Sequence, residues 1–311
     1  MSLVSSGDQL ARAKKDRDQS ICVCLPALNE EATIGSICEQ IHTELCGGIE
    51  LVDELLVIDC GSQDETVRHA EGNGARVFHS AELAPQIAFG GKGEALWKSL
   101  GAARKNTILV WLDSDVSNFD AAWVVKLVRP LLEGQALMTK GSYRRPLTTG
   151  NGERNEKGGR VTELLARPLI NALWPSLAHL RQPLAGECAS FTSLLRELPF
   201  LSGYSVELGV LVEFARRYGD DSIVDVDLGT RKHRNRSLDE LGRMSFEILH
   251  GAVRLLEAER RIPGLDVYSV LRQTQGGASL LHQINVRRFE RQATLGDASL
   301  LPSDRAAAAN Q

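Results

Sequence analysis

Asp113 and Asp115 stand two apart, with only Ser114 between them, at the end of the apolar run Thr107–Val116. A short apolar run bounded by polar residues fits a buried parallel strand. In open α/β sheets, ligands gather beyond the carboxyl ends of such strands. Two carboxylates this close call for a cation, and hard oxygen ligands suit Mg²⁺ or Mn²⁺, ions that usually carry substrate phosphates as well. An isolated Asp-x-Asp is also an ordinary helix cap or solvated loop, so other chemistry-bearing residues must decide. Gly90-Gly91-Lys92-Gly93-Glu94 sets a lysine among glycines, either a grip for a base or phosphate or a plain loop with a surface lysine, and it lacks the spacing of a P-loop. Gly159-Arg160-Val161-Thr162 enters a helical pattern, where the first N–H groups together with Arg160 and Thr162 offer an anion site, or Arg160 simply sits on a solvated first turn. Glu207 falls in the first turns of a helix opened by Gly203-Tyr204-Ser205, placed to be either a surface acid or a cleft residue. Arg231, Lys232, Arg234 and Arg236 crowd around His233. With no aromatic residues interleaved, and a net charge of −4, the cluster suits phosphate neutralisation rather than nucleic-acid binding.

The elements that must position these groups alternate between strand and helix. Ser20–Leu28 reads as a strand, with Asn29 capping a helix whose first turn holds Glu30 and Glu31. Glu54–Asp59 is a second strand, followed by Ser62 and Glu65 at capping-box spacing. A third strand lies around Ala75–Phe78, a helix over Ala95–Arg104, then the Asp-x-Asp strand, a helix near Asp120–Glu133 and a strand at Ala136–Lys140. This order implies right-handed crossovers and an α/β fold with a mainly parallel sheet. Thr148–Gly159 is a glycine-rich loop long enough to suggest function. Ser237 and Glu240 form a second capping box, and Leu238, Leu241, Met244, Ile248, Leu249 and Leu255 make an apolar stripe for core or dimer contact. The organisation expected is a loose tail over 1–19, an α/β half over 20–140, a second half of the same domain over 141–262, and an extension and tail over 263–311. No apolar run approaches the roughly 20 residues of a membrane span. The polar N-terminus is not expected to be a secretory signal. The six cysteines, without a Cys-x-x-Cys pair, read as reduced thiols of a cytoplasmic protein.

Several pieces converge on one family. Pro26-Ala27-Leu28-Asn29-Glu30-Glu31, Asp59-x-Gly61-Ser62-x-Asp64 and Asp113-Ser114-Asp115 resemble a GT-A nucleotide-sugar glycosyltransferase. More narrowly, Gly91–Trp97, Tyr143–Leu147, Gly159–Leu164 and His233-Arg234-Asn235-Arg236 followed by Leu238–Gly242 resemble the glucosyl-3-phosphoglycerate and mannosyl-3-phosphoglycerate synthases of actinobacterial type. The match covers about residues 20–260. It implies a GT-A, Rossmann-like fold and a retaining, metal-dependent transfer of a hexose from a nucleotide-diphosphate sugar to D-3-phosphoglycerate; the C-terminal extension, which the match does not cover, is expected to be helical.

The roles implied are these. Pro26, Ala27, Leu28 and Glu30 line the base and ribose pocket with Ser62 and Lys92, while Asp113 and Ser114 touch ribose or sugar. Tyr204 and Glu207 face the hexose, and Met244 joins the donor site. Asp115 and His233 hold Mg²⁺ or Mn²⁺, and Arg231 sits near the phosphates. Gly159, Arg160, Thr162 and Asn235 hold the acceptor. A homodimer is expected, with no nucleic-acid or membrane partner. Cys60 stands where glucosyl members commonly carry Ser, which leaves UDP-glucose, GDP-glucose and GDP-mannose open and tilts the expectation to GDP-mannose. A polyprenyl-phosphate sugar transferase and a non-catalytic nucleotide-sugar-binding protein are the alternatives.

Overall fold

Alternate residues of strand β1 (Ser20–Ala27) enter two separate cores: Ile21, Val23 and Leu25 pack into one, Cys22 and Cys24 into the other. The same division runs through β2 (Glu54–Asp59) and β4 (Thr107–Trp111), so these strands are buried on both faces, as a parallel sheet covered by helices requires. The computed structural model describes residues 3–85, 91–104, 106–144, 147–148, 154–155, 159–232, 237–264, 267–275 and 278–289.

The remaining strands are β3 (Arg76–His79), β5 (Met138–Arg144), β6 (Leu147–Thr148), β7 (Arg154–Asn155), β8 (Cys188–Phe191), β9 (Phe200–Leu201), β10 (Ile223–Thr230), β11 (Val270–Gln275), β12 (Ala278–Gln283) and β13 (Arg288–Phe289). The helices are α1 (Leu3–Asp16), α2 (Ile34–Gln40), α3 (Thr66–Gly72), α4 (Lys92–Ala102), α5 (Ala122–Leu132), α6 (Arg167–Leu173), α7 (Thr192–Leu195), α8 (Val206–Tyr218) and α9 (Leu238–Ala258). Among the described residues the main sheet has seven strands in the order β10-β5-β8-β4-β1-β2-β3. Only β8 runs against its neighbours in that sheet. The sheet is therefore mixed and mainly parallel, as expected.

Register fixes the working edge. Ala27 lies opposite Asp59 and Cys24 opposite Trp111, so the chain leaves β1, β2 and β4 at one edge. Cys188 also lies opposite Trp111, and because β8 is antiparallel, Gly186 and Glu187 approach this edge from the other direction. A register shift between Asp227 and Thr230 in β10 precedes Arg231, whose backbone N–H donates to Arg144 O.

Four expectations are corrected. Residues 3–16 of the expected tail form α1: Leu10, Ala11 and Lys14 are buried, and the helix packs on α5. Lys14 Nζ donates to Glu50 O, Leu51 O and Asp53 Oδ1 at 3.1, 3.0 and 2.7 Å. Its truncation, Lys14→Ala, is expected to cost about 1–3 kcal/mol of stability, measured by urea unfolding, because three buried or half-buried acceptors lose their donor. Asn29 does not cap α2: it has φ 57°, and its Oδ1 accepts from Gln63 N. Ser62 and Glu65 form no capping box; Ser62 Oγ accepts from Asn29 N, and Asp64 Oδ1 accepts from Thr66 N. These side chains knit the β1 and β2 exits together, a non-local pairing that outcompetes local caps. Finally, the described part of the extension after residue 262 is a β11–β12 hairpin and β13, not helix. The Ser237–Glu240 capping box is present at the start of α9. Among the described residues no helix is long and apolar enough to cross a membrane.

Candidate functional site

The Asp-x-Asp segment is fixed from beneath. Ser114 Oγ donates to Pro26 O at 2.7 Å, and Thr33 Oγ1 donates to Ser114 O at 2.6 Å, tying the β4 exit to β1. Asp113 and Asp115 are thereby left free to turn toward two cations. Lys92, the first residue of α4, approaches Asp113 Oδ1 at 2.5 Å and Glu207 Oε1 at 2.6 Å. Arg231, 2% exposed, spans the pair: its Nη2 is 2.8 Å from both Asp113 Oδ2 and Asp115 Oδ1. Its Nη1 donates to Tyr143 Oη at 2.8 Å, and lies 2.9 Å from Glu187 Oε1 as an ion pair. Neither carboxylate oxygen of Glu187 has a hydrogen bond among the described residues.

These contacts set the charges. Burial alone would push the Asp113 carboxyl up, but Lys92 and Arg231 hold it well below the ordinary carboxylate range. Burial would likewise strip the proton from Lys92, yet Asp113 and Glu207 hold the ammonium above its usual value. Glu187 goes the other way, raised by complete burial that Arg231 only partly offsets. Asp113, Asp115, Glu187 and Glu207 face Lys92 and Arg231, so carboxyls outnumber the described cations. Among the described residues no group of three His, Cys, Asp or Glu forms a ready-made metal cage. An acidic excess with hard oxygens and an incomplete ligand set fits an ion such as Mg²⁺ or Mn²⁺, which is bound by one or two carboxylates and completed by phosphates and water.

A cavity of about 360 Å³ opens over this corner, within the range of small-molecule sites. Pro26, Ala27, Leu28, Glu30, Lys92, Asp113, Ser114, Tyr204 and Met244 all line it, with Asp115, Glu207 and Arg231 at its acidic corner. Gly159, Arg160 and Thr162 form another wall, where Glu163 N donates to Gly159 O as the helix begins. Of the expected residues, Ser62 does not line the cavity and instead braces its rim through Asn29. His233 and Asn235 lie outside the described residues, as does most of the glycine-rich stretch 148–159. Cys60 lines the cavity beside the β1 exit; burial, then the neighbouring Asp59, push its thiol up to about 11.

Two carboxyls escaped the sequence reading. Glu187 sits just before a strand, where nothing local distinguishes it from a loop acid. Glu247 shares the cavity wall with Met244 and Ile248, and its Oε2 accepts from Tyr204 N at 2.8 Å. The only available signal was its place three residues past Met244 on the α9 stripe.

The chain matches the family described as Glycosyl transferase family 2 over residues 22–185. It is similar to the glucosyl-3-phosphoglycerate synthase of Mycobacterium tuberculosis, 48% identical over 246 residues, which cover 78% of this chain and 74% of the relative. A crystal structure of that synthase from the same organism, in complex with Mn²⁺, uridine-diphosphate-glucose and phosphoglyceric acid, matches with a TM-score of 0.80 at 40% identity, covering 93% of this chain and 95% of that one. The crystal structure of mannosyl-3-phosphoglycerate synthase from Rubrobacter xylanophilus matches with a TM-score of 0.83 at 31% identity, covering 92% and 93%.

Proposed function

The chain belongs to the glucosyl-3-phosphoglycerate and mannosyl-3-phosphoglycerate synthase group of family 2 glycosyltransferases, and from that premise we propose that it transfers glucose from UDP-glucose to D-3-phosphoglycerate. The observation that carries the proposal is a single cavity holding the Asp113–Asp115 corner with its two cations on one side and the Arg160–Thr162 helix start on another. Such a cavity suits a donor diphosphate and an anionic acceptor at once.

UDP-glucose replaces the GDP-mannose expected from Cys60. Backbone likeness is slightly greater to the mannosyl enzyme, but identity is greater to the glucosyl one. Donor choice is made by side chains, so identity weighs more. The Cys60 thiol stays protonated and is a small, weak donor; it is a modest departure from Ser and gives no reason to exclude uracil.

Asp115 and, as the family resemblance implies, His233 would hold a divalent metal, which would supply Lewis-acid neutralisation of charge on the departing diphosphate. Lys92 and Arg231, both held as cations, face the same developing charge. Pro26, Ala27 and Leu28 offer a shelf for the base. Backbone N–H groups at the start of the helix, with Arg160, Thr162 and Asn235, take the phosphate and carboxylate of the acceptor. Transfer proceeds with retention: the donor phosphate assists loss of the acceptor hydroxyl proton on the face from which UDP leaves. Six unpaired thiols support a reducing, cytoplasmic setting, and exposed Leu238 and Leu249 on α9 support self-association as a dimer.

Gly186 provides a structural test. A Cβ there would meet the Asp113 carboxylate and lie 2.6 Å from Lys92 Nζ. Gly186→Ala is expected to displace that ion pair and lower kcat/KM about 100-fold, at a stability cost of about 1–3 kcal/mol; steady-state kinetics and thermal unfolding measure the two. The function itself is tested by acceptor-dependent release of UDP from UDP-glucose with Mn²⁺. Release unaffected by 3-phosphoglycerate would refute the acceptor assignment.

A further inference from the structure

Glu247 is a half-buried carboxyl on α9 that the transfer described above does not use. Its Oε2 accepts from Tyr204 N at 2.8 Å, and Ser205 Oγ donates to its backbone O at 2.7 Å. The approach is close because residue 203 is glycine: with φ 59°, Gly203 adopts a backbone that side chains disfavour, and a Cβ there would strike Glu247 Oε2. One oxygen is thus committed to the backbone. The other, Oε1, makes no hydrogen bond among the described residues, while the side chain lines the cavity beside Tyr204, Met244 and Glu207.

Position in the cavity narrows what Oε1 would meet. Lys92 links Asp113 at the diphosphate corner to Glu207, and Glu207 is near enough to Glu247 for its charge to act on it. Glu247 therefore shares one cavity wall region with Glu207, which Lys92 ties to the Asp113 corner, so a hexose carried on a diphosphate at that corner and reaching Glu207 comes within the same cavity as Glu247. A carboxylate oxygen accepts well from sugar hydroxyls, and charge-assisted hydrogen bonds are the stronger kind.

We propose that Glu247 is a specificity-determining residue of the sugar end of this site, with Oε1 accepting a hydrogen bond from a hydroxyl of the donor hexose while Oε2 holds the Tyr204 backbone. The assignment rests on the nucleotide-sugar reading above. It makes Glu247 a selector of the sugar, without a part in binding the base or diphosphate.

Calorimetric titration of UDP and of UDP-glucose, each with Mn²⁺, into the wild type, Glu247→Gln and Glu247→Ala separates the roles. Glu247→Ala is expected to weaken UDP-glucose about tenfold or more and leave UDP unchanged. Glu247→Gln keeps one oxygen for Tyr204 N–H but puts an N–H donor where Oε1 would accept, so it is expected to restore the fold and recover at most part of the sugar affinity. UDP-glucose affinity within about twofold of wild type in both variants would overturn the proposal. So would equal losses for UDP and UDP-glucose, which mark displacement of the Tyr204 segment rather than a lost sugar contact. A wild type that binds neither nucleotide brings down the donor reading itself, and the role of Glu247 with it.

Discussion

Asp115→Asn is expected to lower kcat/KM by about 10³-fold, the scale of losing one principal electrostatic stabiliser at a reacting centre. Asparagine keeps the shape of the side chain and one oxygen but removes the charge that a hard divalent ion needs. Asp115 is well suited to the change because the backbone that carries it is anchored independently, through Ser114 Oγ to Pro26 O and Thr33 Oγ1 to Ser114 O. The variant should therefore fold and bind UDP without metal as the wild type does. Activity measured across a Mn²⁺ titration should shift to much higher metal concentration, with only partial recovery. Wild-type metal dependence in Asp115→Asn would remove Asp115 from the metal site.

Arg231→Met is expected to lose about 3–5 kcal/mol of stability, the scale for stranding buried charges by removing their partner. Arg231 is the cation beside Asp113, Asp115 and Glu187, and it is 2% exposed. The loss should depend on pH, and its sign follows from Glu187. Burial raises that carboxyl in the folded chain, and Arg231 is the group that most lowers it. Without Arg231 the folded state holds the Glu187 proton more tightly than the unfolded state does, so stability falls as pH rises above the ordinary glutamate value of about 4.3 through the raised folded value. Asp113 contributes oppositely in the wild type: it is held below the carboxylate range, and its stabilisation is lost as pH falls from about 3.9. Urea unfolding at mildly acidic and neutral pH should show the variant closer to wild type at the lower pH. A deficit that does not change with pH would mean that Glu187 is not the stranded charge.

Part of the site was legible from local signals, and the rest through the family resemblance. An apolar run ending in Asp113 and Asp115 announces a strand and the functional edge, and most of the residues expected from Pro26 to Met244 do converge on one cavity. What stayed hidden is non-local. Arg231 meets Asp113 from 118 residues away, and sequence spacing does not show that the cation answering the Asp-x-Asp pair is supplied by the chain itself. The antiparallel β8 brings Glu187 beneath the site, yet its direction is a property of the sheet and not of Cys188–Phe191. Glu247 lay within a stripe whose period indicates burial but not what it faces. α1 was missed because few of its residues are apolar, and its anchor is a buried lysine. The hairpin after α9 carries a local signal in the sequence, Gly276-Gly277 between alternating segments, and Gln275 pairs with Ala278.

The most direct test of glucosyl transfer to 3-phosphoglycerate is nucleoside diphosphate release with Mn²⁺, using UDP-glucose and GDP-mannose in turn, each with and without D-3-phosphoglycerate. UDP-glucose should give release that depends on the acceptor, with a kcat/KM about tenfold or more above that for GDP-mannose, a difference of about 1.4 kcal/mol. Acceptor-dependent release that favours GDP-mannose would contradict the donor, and folded protein that releases no nucleotide from either donor on addition of 3-phosphoglycerate would contradict the reaction.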